Sequence, residues 1–594
     1  SSPNAWDAIH RVADEEEQTK ALRAYIEEQF ARTESKYVFI PMGSDFIDPL
    51  PNVISLVDRW NASNHKTALV IADPETAFHY IATQDLPTIS VDLNPIWQAF
   101  YGTRPFAKIA DKEAEYYLTA ADKFGILLGA PQSSAWQTAA INAHYANIGA
   151  VSFDSVWESS QRPRFEGMLT TAADDLSTIL AAIANGIDSP LVIFNPTSWE
   201  RSEVVEIDFR SDDQRIPVGQ PLTATVRAIQ VNAVPGIGWA TVLPNTHTPA
   251  HPTTITQSNS LTTLTNGLVS VTLDASHGGT MTQLLITNYS DLISTYSDDI
   301  TFWRDDGDVY GAFFGDVIAR ESDSTAQIDI LAEGPLLARA RVNFSLSGQT
   351  ITKPVTLRAD SPLVEIELTL AALPNTSVVL HTHTNLNATT RTDDLGFAPF
   401  THEHDNTPLT PGDITYRRDI FYPIIYWSDV SDDNGNGLAL ITHGLQGLGG
   451  TSDLNLLLVR DAREDREGVT DVEAHTFRYA YLPHMGQVSN LPQLAYAFNQ
   501  PLIPVLKSGA QITVQIPFTT PRQFPLSPST HSFPSQHALL SSESALVTDL
   551  YRDGNETRAV VIDYDPGSLA ALKVGDQTIS IPAALLSIIP IKPK

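Results

Sequence analysis

Three side chains stand where chemistry could be done: the acid Asp45, the imidazole His144 and the guanidinium Arg104. Asp45 follows the apolar, β-rich run Tyr37–Ile40. Pro41 stops that run from continuing as a central strand, and Gly43 supplies a tight turn. This predicts a buried strand that delivers Asp45 at its carboxyl end, where α/β sheets gather their catalytic groups. The plainer alternative is that Ser44 or Asp45 caps a helix over Pro49–Trp60. His144 lies near the end of the helical pattern Ser133–Ala146, just before Gly149, so it is either an ordinary helical histidine or a group facing a cleft. Arg104, in Tyr101-Gly102-Thr103-Arg104-Pro105, is either a surface ion-pair partner or a guanidinium that fixes a carboxylate or sugar hydroxyl.

Two histidine pairs, His381/His383 and His402/His404, alternate along strand-like sequence and so share a face, the spacing of two metal ligands on a sheet. Exposed Thr-rich strands carry such pairs without metal as well. The run Asp429–Gly437 has the look of a calcium loop but lacks the terminal bidentate Glu, which makes it a polar β-turn. With 0 cysteines there are no disulfides or thiolates, so any metal must be held by His, Asp or Glu. Asp+Glu 69 against Lys+Arg 37 gives a charge of -32, which argues against nucleic acid or an anionic membrane as partner and leaves a neutral sugar compatible. Halophily or secretion would also account for the acidity, and a secreted or extracytoplasmic location is favoured. No apolar run reaches the ~20 residues of a membrane span.

The elements that must position these groups change character along the 594 residues. Helical spacing between Trp6 and Phe30, a second short strand over Ala68–Ile71 and a helix opening at Asp73-Pro74 imply α/β architecture. The amphipathic patterns Ile109–Ala130, Ser133–Ala146 and Leu169–Ala184 then imply a three-helix bundle. From Leu191 onward, alternation such as Leu268–Leu273 and Val364–Leu370, broken by Pro, Gly and Asn, signals packed antiparallel sheets. The Pro/Ser-rich stretch Gln523–Gln536 is taken as the last linker. The expected fold class is multidomain α+β: the end of an α/β barrel-like domain (1–90), a three-helix middle domain (91–187), then β-sandwich domains (188–255, a large mutarotase-like 256–522, and 523–594).

Several motifs in this order resemble those of the α-mannosidases of glycoside hydrolase family 38. Gly43-Ser44-Asp45-Phe46 is similar to the family's Gly-Asp-Asp-Phe, and Tyr101–Pro105 to its Ser-Arg-Pro turn. Ala143-His144-Tyr145-Ala146-Asn147-Ile148-Gly149-Ala150 resembles its His-His-Asp-Ala-Ile-Thr-Gly-Thr. Phe194–Trp199 with Arg201 looks like the opening of the first β domain. Leu456–Asp461 leading to Asp465–Val469 looks like the late Arg, Asp and Gly-Val signature. The resemblance implies a retaining, zinc-dependent glycosidase acting on terminal α-mannosides of an oligosaccharide or glycan. Asp45 would be the acid/base, His144 the one zinc ligand from the middle domain, and Arg104, Tyr145 and Phe313 substrate-binding positions.

The departures from the pattern carry equal weight. Ala143 replaces a His, Tyr145 replaces an Asp and Phe313 stands where Tyr is usual. The His-x-Asp pair and the nucleophile precede the acid/base by well over a hundred residues in the family, whereas 44 residues precede Asp45 here. The chain begins Ser1-Ser2-Pro3-Asn4, without Met, and is read as a processed or partial product. Its zinc is expected to be shared with an amino-terminal chain or segment that brings the remaining ligands. The alternative is a non-catalytic carbohydrate-binding or structural descendant of the family.

Overall fold

The structure, a computed structural model, describes residues 9–10, 12, 14–41, 48, 50–63, 66–88, 97–209, 219–242, 248–287, 291–294, 296–312, 314–388, 390–396, 398–403, 421–450, 452–461, 468–529, 531–542, 545–554, 556–564, 571–574, 577–581 and 586–591. It divides into two compact units, Ser1–Asp92 and Leu93–Lys594.

The first unit is helical among its described residues. Helix Glu15–Ala31 starts where Asp14 accepts the Glu16 and Glu17 amides, each at 3.0 Å, with three glutamates in the positive first turn. Helix Pro74–Ala82 begins as its sequence dictates, with Pro at the first position and the Asp73 carboxylate accepting Thr76 N at 2.7 Å. Helices Glu15–Ala31 and Val53–Ala62 enclose a small core of Ile9, Leu22, Ile26, Leu50, Leu56 and Trp60. The two strands expected here are not formed. Tyr37–Ile40 and Ala68–Ile71 have no regular secondary structure and pair with no strand among the described residues, and Tyr37 is exposed rather than buried. The physical reason is that a β segment is stabilised by a laddered neighbour, and none stands beside either run among the described residues. The Asn61 side chain instead takes both Leu69 backbone groups, donating to O at 2.9 Å and accepting from N at 2.8 Å. Val70 and Ile71 are left 82% and 63% exposed, and helix Pro74–Ala82 buries none of its residues.

The second unit is mostly β-sheet with a few helices. Helix Pro105–Leu128 and helix Arg162–Asn185 pack lengthwise, with Ala135–Asn142 against the latter. Their core is continuous with a six-stranded antiparallel sheet through Val192, Phe194, Trp239, Ile503 and Val505. Leu191–Asn195 lies inside that sheet, paired on one side with Ile503–Ser508 and on the other with Gly238–Thr241. Its all-buried LVIFN sequence is what a strand covered on both faces requires. The stretch expected as a linker supplies the two outer strands of this sheet, Arg522–Pro525 and Gln536–Ala538. Edges accept Pro and Ser because their outward amides need no partner.

A nine-stranded, a six-stranded and a four-stranded antiparallel sheet share a second large core. Inside it a charged group is sealed: Lys353 Nζ meets Asp298 at 2.9 Å and Glu321 at 2.5 Å, all fully buried. The Tyr479 and Tyr481 hydroxyls donate to Asp298 Oδ1 at 2.8 and 3.1 Å. One ammonium cannot neutralise two carboxylates, so burial pushes Glu321 up to about 8 while both acids hold Lys353 charged. These groups come from different sheets and fasten them together. The Asp429–Gly437 run forms the expected polar turn, with Asp432 Oδ1 accepting Asn434 N and Asn436 N.

Phe194 is fully buried, edge-on to Phe124 of the first long helix at 5.3 Å and 5.8 Å from Trp239. Phe194→Ala is therefore expected to destabilise the second unit by about 3–5 kcal/mol, read as a lower urea midpoint with unchanged slope. A loss within experimental error would mean that helices and sheet do not share one core.

Candidate functional site

The site is assembled from three loops of the second unit. The first, 97–104, enters helix Pro105–Leu128 with Trp97 and Arg104 both in the left-handed region, φ 56° and 43°. It is docked on strand Leu454–Arg460: Arg460 N donates to Gly102 O at 2.8 Å, and a Cβ on Gly102 would lie 2.7 Å from the Leu457 side chain. Glycine is thus needed there for close approach. The second loop follows helix Ala135–Asn142. The expected single helix to Ala146 does not form. The chain turns at Ala143, and His144, extended at φ -60° and ψ 135°, is the N-cap of a separate short helix Tyr145–Ile148. The third loop, 305–312, is held by Arg460, whose Nε donates to Asp305 Oδ2 at 2.7 Å and NH1 to Asp308 O at 3.0 Å, while Asp308 Oδ1 accepts Tyr310 N at 2.9 Å.

What these loops present is an open aromatic cluster. Trp97 lies 5.5 Å from Phe100, 5.9 Å from Tyr145 and 5.7 Å from Tyr310; Phe100 and Tyr310 are 5.8 Å apart. The His144 ring tilts against Tyr145 at 4.5 Å. Trp97, Tyr145 and Tyr310 are 37%, 56% and 46% exposed, and His144 is exposed too. Ring faces open to water beside polar tips suit the alternating apolar and hydroxylated surface of a sugar.

Arg104 has a different place from either expected one. It is 1% exposed, so it is neither a surface ion pair nor open to a ligand. NH1 donates to Ala150 O at 3.0 Å and Ser152 O at 2.7 Å, NH2 to Asp154 Oδ1 and Nε to Thr470 O at 3.4 Å, and the group lies 4.9 Å over Trp157. One turn on, Lys108 Nζ donates to Thr103 O at 2.5 Å and Gly149 O at 3.1 Å. The two cations hold the carbonyls immediately after the His144 turn, which makes them positioning residues. Asp45 and Phe313 lie outside the described residues.

A catalytic zinc does not fit the described residues alone. His144 Nδ1 accepts Ala146 N at 3.3 Å, so the neutral ring carries its proton on Nε2, and ligation through Nε2 would require the cap to open. Among the described residues the one group of three close His, Asp or Glu donors is Asp471, Glu473 and His475, without His144. The His381/His383 pair shares a face as expected, but its rings are parallel and 6.1 Å apart. Nδ1 of each is engaged, by Asn455 at 2.9 Å and Asp453 at 2.9 Å. Trp303 Nε1 also donates to His381 Nε2 at 3.4 Å, so both His381 ring nitrogens are engaged. The side chain of His402 and all of His404 lie outside the described residues.

Sequence reasoning missed Trp97, Phe100, Lys108 and Tyr310. An aromatic pair at i, i+3 immediately before the Arg-Pro turn and a lysine one helical turn after it were the available signals; Tyr310 gave none.

Residues 264–467 match the sequence model of the Glycosyl hydrolases family 38 C-terminal domain. No curated protein matches the chain. Among solved structures, the chain is similar to an alpha-mannosidase from Enterococcus faecalis V583, with TM-score 0.71 and 13% identity over 97% of this chain and 77% of that one. It is also similar to a protein in Glycosyl Hydrolase Family 38 from Enterococcus faecalis, with TM-score 0.69 and 14% identity over 99% and 80%. At these identities the likeness establishes a shared fold.

Burial lowers Lys108 from the ordinary lysine value to about 7. Between about pH 7 and about pH 10 the unfolded chain then binds a proton that the folded one does not, so this residue makes stability rise with pH. Urea unfolding of the natural protein and Lys108→Met across that range is expected to show the rise in the former and a flatter profile in the latter. Parallel profiles would mean that Lys108 stays charged in the fold.

Proposed function

Because residues 264–467 carry a family 38 C-terminal domain on a fold shared with an α-mannosidase, we propose that this chain is the larger part of a retaining α-mannoside hydrolase. The observation that carries the reading is the exposed imidazole of His144 against Tyr145, which joins Trp97, Phe100 and Tyr310 in one aromatic cluster, on loops fixed by the buried side chains Arg104, Lys108 and Arg460. Rigid backing behind an open aromatic face is what a sugar site needs. In this reading Asp45 protonates the departing glycosidic oxygen and afterwards deprotonates the attacking water. A second carboxylate about 5 Å away, outside this chain, serves as nucleophile. Tyr145, with Phe313, contacts the sugar ring, and Arg104 acts through the backbone it holds.

Zinc enters the proposal as one ion to which His144 contributes a single donor. The described residues do not complete its coordination, so the other ligands belong to an amino-terminal part. The first unit supports such a part independently. Its two apolar runs have no ladder partner among the described residues, and Val70, Ile71, Phe78 and Tyr80 lie exposed, as an α/β layer would be before further strands and helices cover it. The α/β barrel end and the three-helix middle domain expected from the sequence belong to this proposal as well. No described helix is long and apolar enough to cross a membrane. A second reading, a carbohydrate-binding descendant without activity, is favoured by Ala143 and Tyr145 on either side of His144.

With the amino-terminal part present, Asp45→Asn is expected to slow hydrolysis of α-mannosides with poor leaving groups by about 10²-fold or more, and activated aryl α-mannosides less. Equal loss on both would remove Asp45 from the acid role. Mannoside binding without turnover in the unmutated complex would establish the second reading.

A further inference from the structure

A different set of residues, without His144, brings three metal-donor side chains close together. Asp471 and Glu473 immediately precede strand Ala474–His484, which carries His475, and one donor atom from each of the three lies within 4.8 Å of the others. Glu473 is exposed and gives an ion access, whereas Asp471 and His475 are buried. His475 Nε2 lies 2.7 Å from Asp471 Oδ1. The other carboxylate oxygen, Asp471 Oδ2, is buried and has no hydrogen-bond partner among the described residues, on a residue only 4% exposed.

An acid held that deeply with one oxygen unmatched calls for a cation. The neighbouring basic groups act on the acid electrostatically but donate no hydrogen bond to that oxygen among the described residues. Arg104 directs its donors to Ala150, Ser152, Asp154 and Thr470, and Lys108 to Thr103 and Gly149. Arg162 does reach Glu473, at 3.1 Å, but it also has Glu166 at 3.1 Å and Glu158 at 3.7 Å, so Glu473 can turn to an ion without stranding it.

We propose that Asp471, Glu473 and His475 bind one divalent first-row transition ion, with two carboxylate oxygens and one imidazole nitrogen as ligands and water completing the shell. This donor set favours Zn²⁺ or Mn²⁺ over Ca²⁺. On binding, the ion replaces the proton on His475 Nε2. That proton moves to Nδ1, which leaves Nε2 free to ligate. Burial already raises the Asp471 pKa, with Glu473 adding to the rise and His475 and Arg104 opposing it, and a bound ion would reverse that cost. The ion would tie the segment that packs on Arg104 to the start of the central nine-stranded sheet.

The test is a Zn²⁺ titration by calorimetry on the chelator-stripped full chain, with a thermal melt at each end point. One ion per chain is expected, with a raised melting temperature. His475→Ala should abolish both effects, and the exposed Glu473→Gln, which should not disturb folding, should weaken binding at least tenfold. His144→Ala and His381→Ala should leave binding intact. Absence of stoichiometric Zn²⁺ and Mn²⁺ binding, binding undiminished in His475→Ala and Glu473→Gln, or loss in His144→Ala instead would each overturn the site.

Discussion

The buried guanidinium of Arg104 is the constraint on which the site depends. An uncompensated charge in a protein interior costs several kcal/mol, so once Arg104 is placed behind the first turn of a long helix its donors must be met. They are met by backbone carbonyls at 150, 152 and 470 and by the Asp154 carboxylate, from segments far apart in sequence. Asp154 in turn accepts Thr470 N at 2.9 Å, closing the network. The His144 turn has little freedom of its own, since the chain immediately beyond it is gripped by Arg104 and Lys108.

The same device recurs at Arg460, which gathers Asp305, Ser377 and the Asp308 carbonyl and so holds the loop that presents Tyr310. Both arginines are spent on structure, and the exposed groups are an imidazole and aromatic rings. That division suits a neutral ligand: charge is kept inside, where it fixes geometry, and the open face is left to stacking and directional hydrogen bonds. The β-sheets behind the loops supply rigidity through close packing and the sealed Lys353, Asp298 and Glu321 group. Loops on such walls keep their positions without themselves being rigid.

The two units differ in how far local sequence and tertiary environment agree. In the second, most of the chain agrees: alternating apolar residues sit in ladders, and the Arg-Pro turn starts its helix, while the helix expected over Ser133–Ala146 stops at Asn142. In the first, helix caps at Asp14 and Asp73 agree with sequence, while the strand-like runs have, among the described residues, no neighbours that would make them strands. A helix closes its hydrogen bonds within itself, but a strand borrows them from another segment, so only the latter is hostage to what lies beside it.

The sequence by itself determined that helix Pro74–Ala82 begins at Asp73-Pro74, where period gives way from helical to alternating, the polar turn at Asp429–Gly437, and the motif order behind the family resemblance, whereas the long helices begin at Pro105 and Arg162, ahead of the expected Ile109 and Leu169. Those features are local, resting on caps, propensity and hydrophobic period. Tertiary structure alone decided that Arg104 faces inward, that His144 caps a turn instead of lining a helix, that Pro- and Ser-rich segments finish a sheet, and that Trp97, Phe100, Tyr145 and Tyr310 meet. It likewise left Asp471 Oδ2 buried without a donor beside Glu473 and His475. The reason is that burial and partner choice are set by segments up to several hundred residues away, and an arginine, a histidine or an acid reads identically in sequence whether it ends in water or in a core.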